Sequence, residues 1–325
     1  MPKKKAAVQT KRAWWKHAWD RILFLVLLLL FFLLYPGQNI YTMIPAKGKP
    51  LVRALPFPMP TPAPYPINRT ALYPGEEITA TGVVVLDVAS GVYLYKRNTD
   101  IPFSPASTTK IMTALVALDT YDLGEVVTVS SVMADGQVMG LVPGERITVE
   151  NLLYGTLIQS GNDAAYALAQ HYPGGVAAFV EAMNLKAKTL HLANTSFTNP
   201  VGFDDPGHIM TPSDLAMLAR VALSNGTIAK MVAIPQITVS DVTHTYFHPM
   251  KNINELLGKI PGVGGIKTGW TEEAGENLVT LMERDGHRII LVVLHSKDRF
   301  GETTKLIDWV FANHFWEDVK PPYPH

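Results

Sequence analysis

The chain has 325 residues, 47% of them hydrophobic, and its basic and acidic side chains are equal in number, so the formal net charge is zero. This length supports one large or two modest globular domains with a buried core. The charge balance gives no indication of nucleic-acid binding. The absence of cysteine excludes disulfides, thiolate catalysis and cysteine-ligated metals.

The N-terminus combines a basic stretch with an apolar one. Residues 1–21 hold seven lysine or arginine side chains against one aspartate, so we expect a basic cytoplasmic tail. The run Ile22–Tyr35 is entirely apolar or aromatic, and it can lengthen as far as Ile44. Residues 22–44 are therefore predicted to be an uncleaved signal anchor that sends the rest of the chain outside the cytoplasm. A cleaved signal peptide is the alternative, although no good small-x-small cleavage site follows.

A proline-rich segment, residues 45–75, comes next. Every second residue from Pro56 to Pro66 is proline, a pattern that favours polyproline II and is incompatible with the interior of a helix or sheet. We predict a linker that holds a folded domain away from the membrane, with a proline-rich ligand for a partner as the alternative. The domain is expected to span residues 76–318, followed by a tail at 319–325.

The order of predicted elements indicates an antiparallel sheet interrupted by helices. Two strands joined at Ser90-Gly91 begin the domain, and three strands near its end include a pair joined at Asp285-Gly286. Between them, apolar residues recur at helical spacing after start signals such as Thr148 and Thr211. A last helix is predicted at 306–315. The predicted fold class is α/β of the α+β kind, with a five-stranded antiparallel sheet flanked by helices and an inserted helical lobe.

The segment from Ser104 to Leu118 predicts the start of a helix that carries a nucleophile. Ser104 is expected to cap this helix and Pro105 to occupy its first position. Ser107 and Lys110 are three residues apart and therefore lie on one face of the first turn. A serine hydroxyl becomes a good nucleophile when a base takes its proton, and a desolvated lysine can act as that base. An exposed serine beside a solvated lysine is the alternative interpretation.

Two further polar groups accompany this pair. Ser160 and Asn162 lie in a loop between two predicted helices, where a hydroxyl and an amide can point into a cleft, although an ordinary turn has the same composition. Lys267 and Thr268 precede Gly269 on a predicted strand, and strand glycines often mark the close approach of a ligand. A solvent-facing lysine on an edge strand is the alternative there.

Motifs for cofactors and metals are not matched. A Walker loop needs glycine where Ile266 stands, and a dinucleotide fingerprint needs its third glycine where Lys267 stands, so we expect no cofactor. His244 and His248 have the spacing of a zinc-protease helix, but Thr245 replaces the glutamate. We interpret these histidines as surface or packing residues and expect no metal site.

Taken together, the three polar groups resemble the motifs Ser-x-x-Lys, Ser-x-Asn and Lys-Thr-Gly of penicillin-binding proteins and serine β-lactamases. The flanking sequence is similar to the low-molecular-mass D-alanyl-D-alanine carboxypeptidases, serine peptidase family S11. The similar segments are PASTTKIMTAL (105–115), LLYG (152–155), SGNDAA (160–165), FVEAMN (179–184), TNPVG (198–202) and GIKTGWT (265–271). The similarity covers residues 78–318.

The resemblance implies the fold described above and a penicillin-sensitive serine carboxypeptidase. Such an enzyme trims the terminal D-alanine from peptidoglycan stem peptides ending in D-Ala-D-Ala. Ser107 would form the acyl-enzyme, with Lys110 as the general base. Ser160 would pass a proton to the leaving amine, and Asn162 would hold Lys110. β-Lactams are the inhibitors that the resemblance implies.

The resemblance also implies how the substrate is bound. Lys267 and Thr268 would bind its terminal carboxylate, next to Gly269. The backbone N–H groups of Ser107 and Trp270 would form the oxyanion hole. As a second cation in the site, Lys267 would also lower the pKa of the catalytic lysine.

Two features depart from the family pattern. The sequence after Trp316 is too short for the second β-rich domain or the C-terminal amphipathic helix that the family often carries, so we expect the N-terminal segment to attach the protein to the bacterial membrane. The deacylating glutamate motif of class A β-lactamases is not found, because the nearest match, Glu181–Asn184, lies in a predicted helix and lacks the leucine. We therefore expect slow release of penicillin. The alternatives are a β-lactamase of the same fold and a non-catalytic, tethered sensor of cell-wall peptides.

Overall fold

The computed structural model of the protein describes residues 4–34 and 62–319. The chain divides after residue 60 into two compact units. The described part of the first unit is one helix, α1 (Lys4–Leu34). No helix in the described ranges is both long and apolar enough to cross a membrane. Residues 35–44 of the predicted anchor and residues 45–61 of the predicted linker lie outside the described residues.

The second unit mixes helices and strands. Its described helices are α2 (Lys110–Thr120), α3 (Val149–Leu157), α4 (Asn162–His171), α5 (Gly175–Thr189), α6 (Pro212–Ser224), α7 (Gly226–Val232) and α8 (Arg299–Asn313). Its described strands are β1 (Tyr65–Asn68), β2 (Gly82–Asp87), β3 (Tyr93–Arg97), β4 (Val126–Thr128), β5 (Arg146–Thr148), β6 (Gln236–Ser240), β7 (Phe247–Lys251), β8 (Val263–Thr271), β9 (Gly275–Arg284), β10 (His287–Ser296) and β11 (His314–Glu317). A 3-10 turn, Ala106–Thr109, leads into α2.

Five strands form the central sheet in the order β3-β2-β10-β9-β8, and every neighbouring pair is antiparallel. The first two strands come from the start of the unit and the other three from its end, so α2 to α7 lie between them in sequence. This arrangement confirms the predicted sheet and the inserted helical lobe. Thr148 and Thr211 cap α3 and α6 as predicted, each accepting a hydrogen bond from a backbone N–H of the first turn.

The sheet is buried on both faces. Along β2, Val84 and Leu86 pack with the residues of the helical lobe, while Val83 and Val85 pack in a second cluster with α8. Successive strand residues point to opposite faces, so one apolar run supplies both cores. Strand β8 lies at one edge of this platform, and it carries the predicted Lys-Thr-Gly motif.

Three local predictions differ from the structure. Ser104 does not cap the nucleophile helix, since the first turn has no side-chain cap and the Ser104 hydroxyl donates to Asp204 instead. The helix predicted at 306–315 begins earlier, because Asp298 caps α8 by accepting from its third residue, and it ends before β11. Strand β11 pairs with β1, which lies inside the stretch 45–75 that the composition identifies as linker.

Candidate active site

The first group of the site is the Ser107–Lys110 pair. Ser107 lies in the 3-10 turn and Lys110 begins α2, with its side chain completely buried. Lys110 Nζ is 2.9 Å from Ser107 Oγ, 2.7 Å from Asn162 Oδ1 and 2.7 Å from the carbonyl oxygen of Val201. The lysine therefore contacts the serine hydroxyl directly and is held on its other sides by two oxygen acceptors.

Burial lowers the pKa of Lys110 well below that of an ordinary lysine. The nearby charge of Lys267 lowers this pKa further, as expected from the sequence, while Asp163 opposes the shift. A lysine whose neutral amine is accessible can take a proton from a hydroxyl. The pair can therefore act as a nucleophile with its base.

The second group joins Ser160 to Lys267. Lys267 Nζ donates to Ser160 Oγ at 2.8 Å and to the carbonyl oxygen of Thr268 at 3.0 Å. Both side chains are buried. Burial, followed by the charge of Arg299, lowers the pKa of Lys267 to about 7. Lys267 can therefore change its charge near neutral pH.

Two residues at the site have backbone conformations that L-amino acids rarely adopt. The φ angle is +47° at Ala106, directly before the nucleophile, and +61° at Ser160. Such strain persists only where the surrounding structure enforces it. Gly202 packs against this strained turn so closely that a Cβ there would overlap the carbonyl oxygen of Ala106. The close approach of this loop to the 3-10 turn therefore requires glycine.

The loop that contributes the Val201 carbonyl is organised by one asparagine. Asn199 Oδ1 accepts hydrogen bonds from the backbone N–H groups of Val201, Gly202 and Phe203, at 3.2, 2.7 and 3.0 Å. Thr113 of α2 donates to the carbonyl oxygen of Pro200 at 2.6 Å. These contacts fix the loop against the helix that begins with Lys110.

These groups surround a cavity of about 440 Å³. Its lining residues are Ser107, Gly136, Gln137, Ser160, Asn162, Val201, Gly202, Phe203, Ile253, Thr268, Gly269, Trp270, Thr271, Glu272 and Arg299. Six of the eight residues singled out in the sequence are in this lining, and the other two, Lys110 and Lys267, are buried directly behind it. The structure therefore brings all eight together.

Strand β8 forms one wall of the cavity and packs closely on the 3-10 turn. A Cβ at Gly269 would lie 3.0 Å from the carbonyl oxygen of Pro105 and 3.1 Å from the backbone nitrogen of Ser107. This approach places the backbones of Ser107 and Trp270 at the same cavity. The Trp270 side chain is 60% exposed.

One cation of the site, Arg299, lies in none of the sequence motifs. Its Nη1 donates to the carbonyl oxygen of Gly269 at 2.9 Å, whereas its Nε is buried without a hydrogen-bond partner. Arg299 begins α8, three residues after the end of β10, the last strand of the central sheet. That position next to a predicted sheet was the only signal in the sequence that could have indicated it.

Glu181, the nearest match to the β-lactamase glutamate, is not part of the cavity lining. Glu181 lies on helix α5, and Asn184 of the same segment makes two hydrogen bonds to the backbone of Phe197. Asn184 therefore has a structural role, whereas Glu181 is exposed. Among the described residues, no group of three histidine, aspartate or glutamate side chains is arranged to hold a metal ion.

Comparison with known proteins identifies similar chains. The sequence model of a family described as D-alanyl-D-alanine carboxypeptidase matches residues 68–298. D-alanyl-D-alanine carboxypeptidase DacF of Bacillus subtilis is 35% identical over 245 residues, which are 72% of this chain and 63% of that protein. DacB2 of Mycobacterium tuberculosis is 36% identical over 239 residues, 70% of this chain and 81% of that protein. The matched region thus spans less than two thirds of the B. subtilis relative.

A solved structure shows the same architecture. The crystal structure of the Streptomyces K15 DD-transpeptidase superposes with a TM-score of 0.70 and 34% sequence identity. The superposition covers 74% of this chain and 100% of that one. The match therefore extends over the whole of the Streptomyces chain.

Proposed function

Since the chain belongs to the D-alanyl-D-alanine carboxypeptidase family, we propose that it is a serine-type enzyme that removes the terminal D-alanine from peptidoglycan stem peptides ending in D-Ala-D-Ala. The family matches confirm the resemblance inferred from the sequence. The observation that carries the proposal is the 2.9 Å contact between Ser107 Oγ and a buried lysine of lowered pKa. A protein that only bound such peptides would have no use for this base.

Acylation begins with Ser107. Its Oγ attacks the carbonyl carbon of the penultimate D-alanine, and its proton passes to Lys110 Nζ. The ammonium so formed donates to Asn162 Oδ1 and to the Val201 carbonyl, both at 2.7 Å. These acceptors are in place before the reaction, so they stabilise the charge as it develops. The backbone N–H groups of Ser107 and Trp270 are assigned to the oxyanion.

The C–N bond then breaks and the D-alanine leaves. Ser160 is placed to give a proton to the leaving nitrogen and to regain one from Lys267 Nζ, 2.8 Å away. Water hydrolyses the ester on Ser107, which releases the shortened peptide and restores the resting protonation states. The net reaction consumes one water and yields one free D-alanine.

The terminal carboxylate of the substrate is assigned to the cationic end of the cavity. Lys267 and Arg299 supply positive charge there, and Thr268 contributes polar groups at the cavity surface. Arg299 is part of the cavity lining, and its Nη1 is held by the carbonyl oxygen of Gly269 at 2.9 Å. Guanidinium groups match the geometry of carboxylates well.

The assignment to Lys267 predicts a pH dependence of substrate binding. With a pKa of about 7, Lys267 is charged below neutral pH and loses its charge above it. We expect the KM for a peptide ending in D-Ala-D-Ala to rise about tenfold from about pH 6 to about pH 9, the scale of one charge-assisted hydrogen bond. A Lys267→Arg variant stays charged, so its KM should be flat over that range. A wild-type KM independent of pH would contradict the assignment.

The proposed activity is tested by measuring free D-alanine. The protein is incubated with an N-acylated tripeptide ending in D-Ala-D-Ala, and the matched control substrate ends in L-Ala-D-Ala. We expect release from the first substrate only, blocked by benzylpenicillin. Rapid destruction of the penicillin without D-alanine release would make the protein a β-lactamase. Peptide binding without release of either kind would make it a sensor.

Membrane attachment through residues 22–44, with the catalytic unit outside the cytoplasm, is a further part of the proposal. It is supported by the basic stretch 1–21 and by the apolar side chains of α1, which are exposed along residues 22–34. We expect the full chain to stay with bacterial membranes through an alkaline carbonate wash, and a chain starting at residue 62 to be released. Release of both chains would contradict attachment.

A further inference from the structure

A segment without regular secondary structure, residues 135–145, lies beside the cavity. It precedes strand β5, and two of its residues, Gly136 and Gln137, are part of the cavity lining. No helix or strand ladder holds this stretch. Backbone hydrogen bonds fix it at Gln137, whose carbonyl oxygen accepts from the Asn162 N–H at 2.6 Å, and at Gly144 and Glu145, which pair with Val129. Between these points its position depends on the side chains that contact it.

The segment fixes the orientation of the Asn162 amide. Asn162 Nδ2 donates to the carbonyl oxygen of Asp135 at 2.7 Å, while Oδ1 faces Lys110 Nζ, also at 2.7 Å. A carbonyl oxygen can only accept, so its partner must be the amide nitrogen. The contact with Asp135 thereby directs the amide oxygen toward the lysine.

This approach of the backbone to Asn162 depends on a glycine. Gly136 has a φ of +75°, and a Cβ there would lie 2.6 Å from Asn162 Nδ2. Even the smallest side chain would therefore push the segment and the amide apart. Gly136 is exposed, so a substitution there would not disturb the core.

Two buried carboxylates hold the segment further along. Asp163 accepts hydrogen bonds from the backbone N–H groups of Met139, Gly140 and Leu141 at 2.9 to 3.0 Å. Glu145 Oε2 accepts from the backbone N–H of Val142 at 2.9 Å. Asp163 is held in place because it follows Asn162 directly in the sequence. Glu145 is far from Asn162 in the sequence, so another side chain must hold its carboxylate.

That partner is His248 of strand β7. Its Nε2 is 2.7 Å from Glu145 Oε1 and its Nδ1 is 3.2 Å from the carbonyl oxygen of Met139. Both His248 and Glu145 are 3% exposed. The histidine therefore ties two points of the 135–145 segment to the β6–β7 hairpin. The proposed reaction makes no direct use of this buried pair.

We propose that His248, through Glu145, is a positioning residue that holds the 135–145 segment so that the Asp135 carbonyl keeps the Asn162 amide oxygen on Lys110. If the segment shifts, the amide is free to turn its NH2 group toward Lys110. A donor facing the lysine disfavours the ammonium that forms during acylation, so acylation slows. The inference rests on the proposed function, because acylation of Ser107 is the step that the segment serves.

The test is a pair of double-mutant cycles that measure the rate of acylation by a fluorescent penicillin. His248→Gln and Gly136→Ala act at opposite ends of the same chain of contacts. Each is made alone and in an Asn162→Ala background. We expect each to slow acylation about tenfold alone, and less than about twofold once the Asn162 amide is gone, because contacting groups are not additive. If His248→Gln fails to fold, the Gly136→Ala cycle still measures whether the segment acts on acylation through Asn162.

The matched control is His171→Ala. It removes a second histidine–glutamate contact, His171 Nε2 to Glu125 Oε1, of the same 2.7 Å length but at the surface. We expect this variant to acylate at the wild-type rate. The inference would be overturned if His248→Gln and Gly136→Ala slowed acylation equally with Asn162 present and with Asn162→Ala. Their effect would then not act through the Asn162 amide.

Hydrogen–deuterium exchange provides a readout that does not depend on the reaction. We expect peptides covering residues 135–145 to exchange faster in His248→Gln than in the wild type, with no such change in His171→Ala. Unchanged exchange would overturn the inference. A wild-type protein that is not acylated would contradict the proposed function, and exchange would then decide by itself whether His248 holds the segment.

Discussion

Replacing Ser107 by alanine is expected to reduce the rate of D-alanine release by about 10⁴-fold or more, because no other hydroxyl is assigned to attack the peptide carbonyl. The side chain is small and partly buried, so the fold should be unaffected. The measurement is kcat/KM for the D-Ala-D-Ala peptide, accompanied by a thermal unfolding curve.

The control for this variant is Ser104→Ala. It removes a hydroxyl from the same segment, one that donates to Asp204 at 2.9 Å and is not part of the cavity lining. We expect its rate to stay within about threefold of the wild type, the range of a surface change. A Ser107→Ala variant that kept more than about a tenth of the activity would rule out Ser107 as the nucleophile.

Replacing Lys110 is expected to be nearly as damaging, whether the new residue is alanine or arginine. Loss of the general base should lower the acylation rate about 10³-fold. The arginine variant is the informative one, since a guanidinium keeps the positive charge but is not deprotonated in proteins. If the reaction uses the neutral amine of Lys110, both variants should be inactive.

Lys259→Arg is the matched control for the arginine variant, because that lysine is exposed and lies outside the cavity lining. We expect no change in its acylation rate. If Lys110→Arg acylated at close to the wild-type rate, Lys110 would act as a fixed charge, and the proposed role of its lowered pKa would be wrong. The acylation rates are measured with a fluorescent penicillin over time.

The central sheet could be predicted because its strands are long or end in recognisable turns. The hairpin at Asp285-Gly286 has φ angles of +53° and +78°, the left-handed pair that the Asp-Gly sequence favours. Strands β2 and β10 are buried on both faces, so their continuous apolar runs are conspicuous in the sequence. In these strands the hydrophobic pattern and the turn residues predict the same structure.

The short strands could not be predicted in the same way. β4 and β5 have three residues each, too few for a periodic pattern. β7 alternates between exposed and buried residues, but its buried positions include His248 and its exposed ones Pro249, both unusual in strands. Tertiary contacts of His248 with Glu145 decide the structure there, and such contacts leave no local signal.

The residues brought together at the cavity could be predicted from their motifs, but the groups that orient them could not. The Val201 and Asp135 carbonyls are backbone atoms, which any residue supplies, so their identity carries no information. Arg299 lies in no motif. The sequence identifies His248 only as a surface or packing residue, and the structure shows it buried against Glu145.

One measurement tests the central claim most directly: the mass of the protein after brief incubation with benzylpenicillin, followed by tryptic mapping of the adduct. The account predicts a gain of one penicillin, located on Ser107 within the peptide Asn98–Lys110. The adduct should persist, since Glu181, the nearest match to the β-lactamase glutamate, is not part of the cavity lining. An unmodified protein beside intact penicillin, or an adduct on another residue, would contradict the assignment of Ser107 and Lys110 as nucleophile and base.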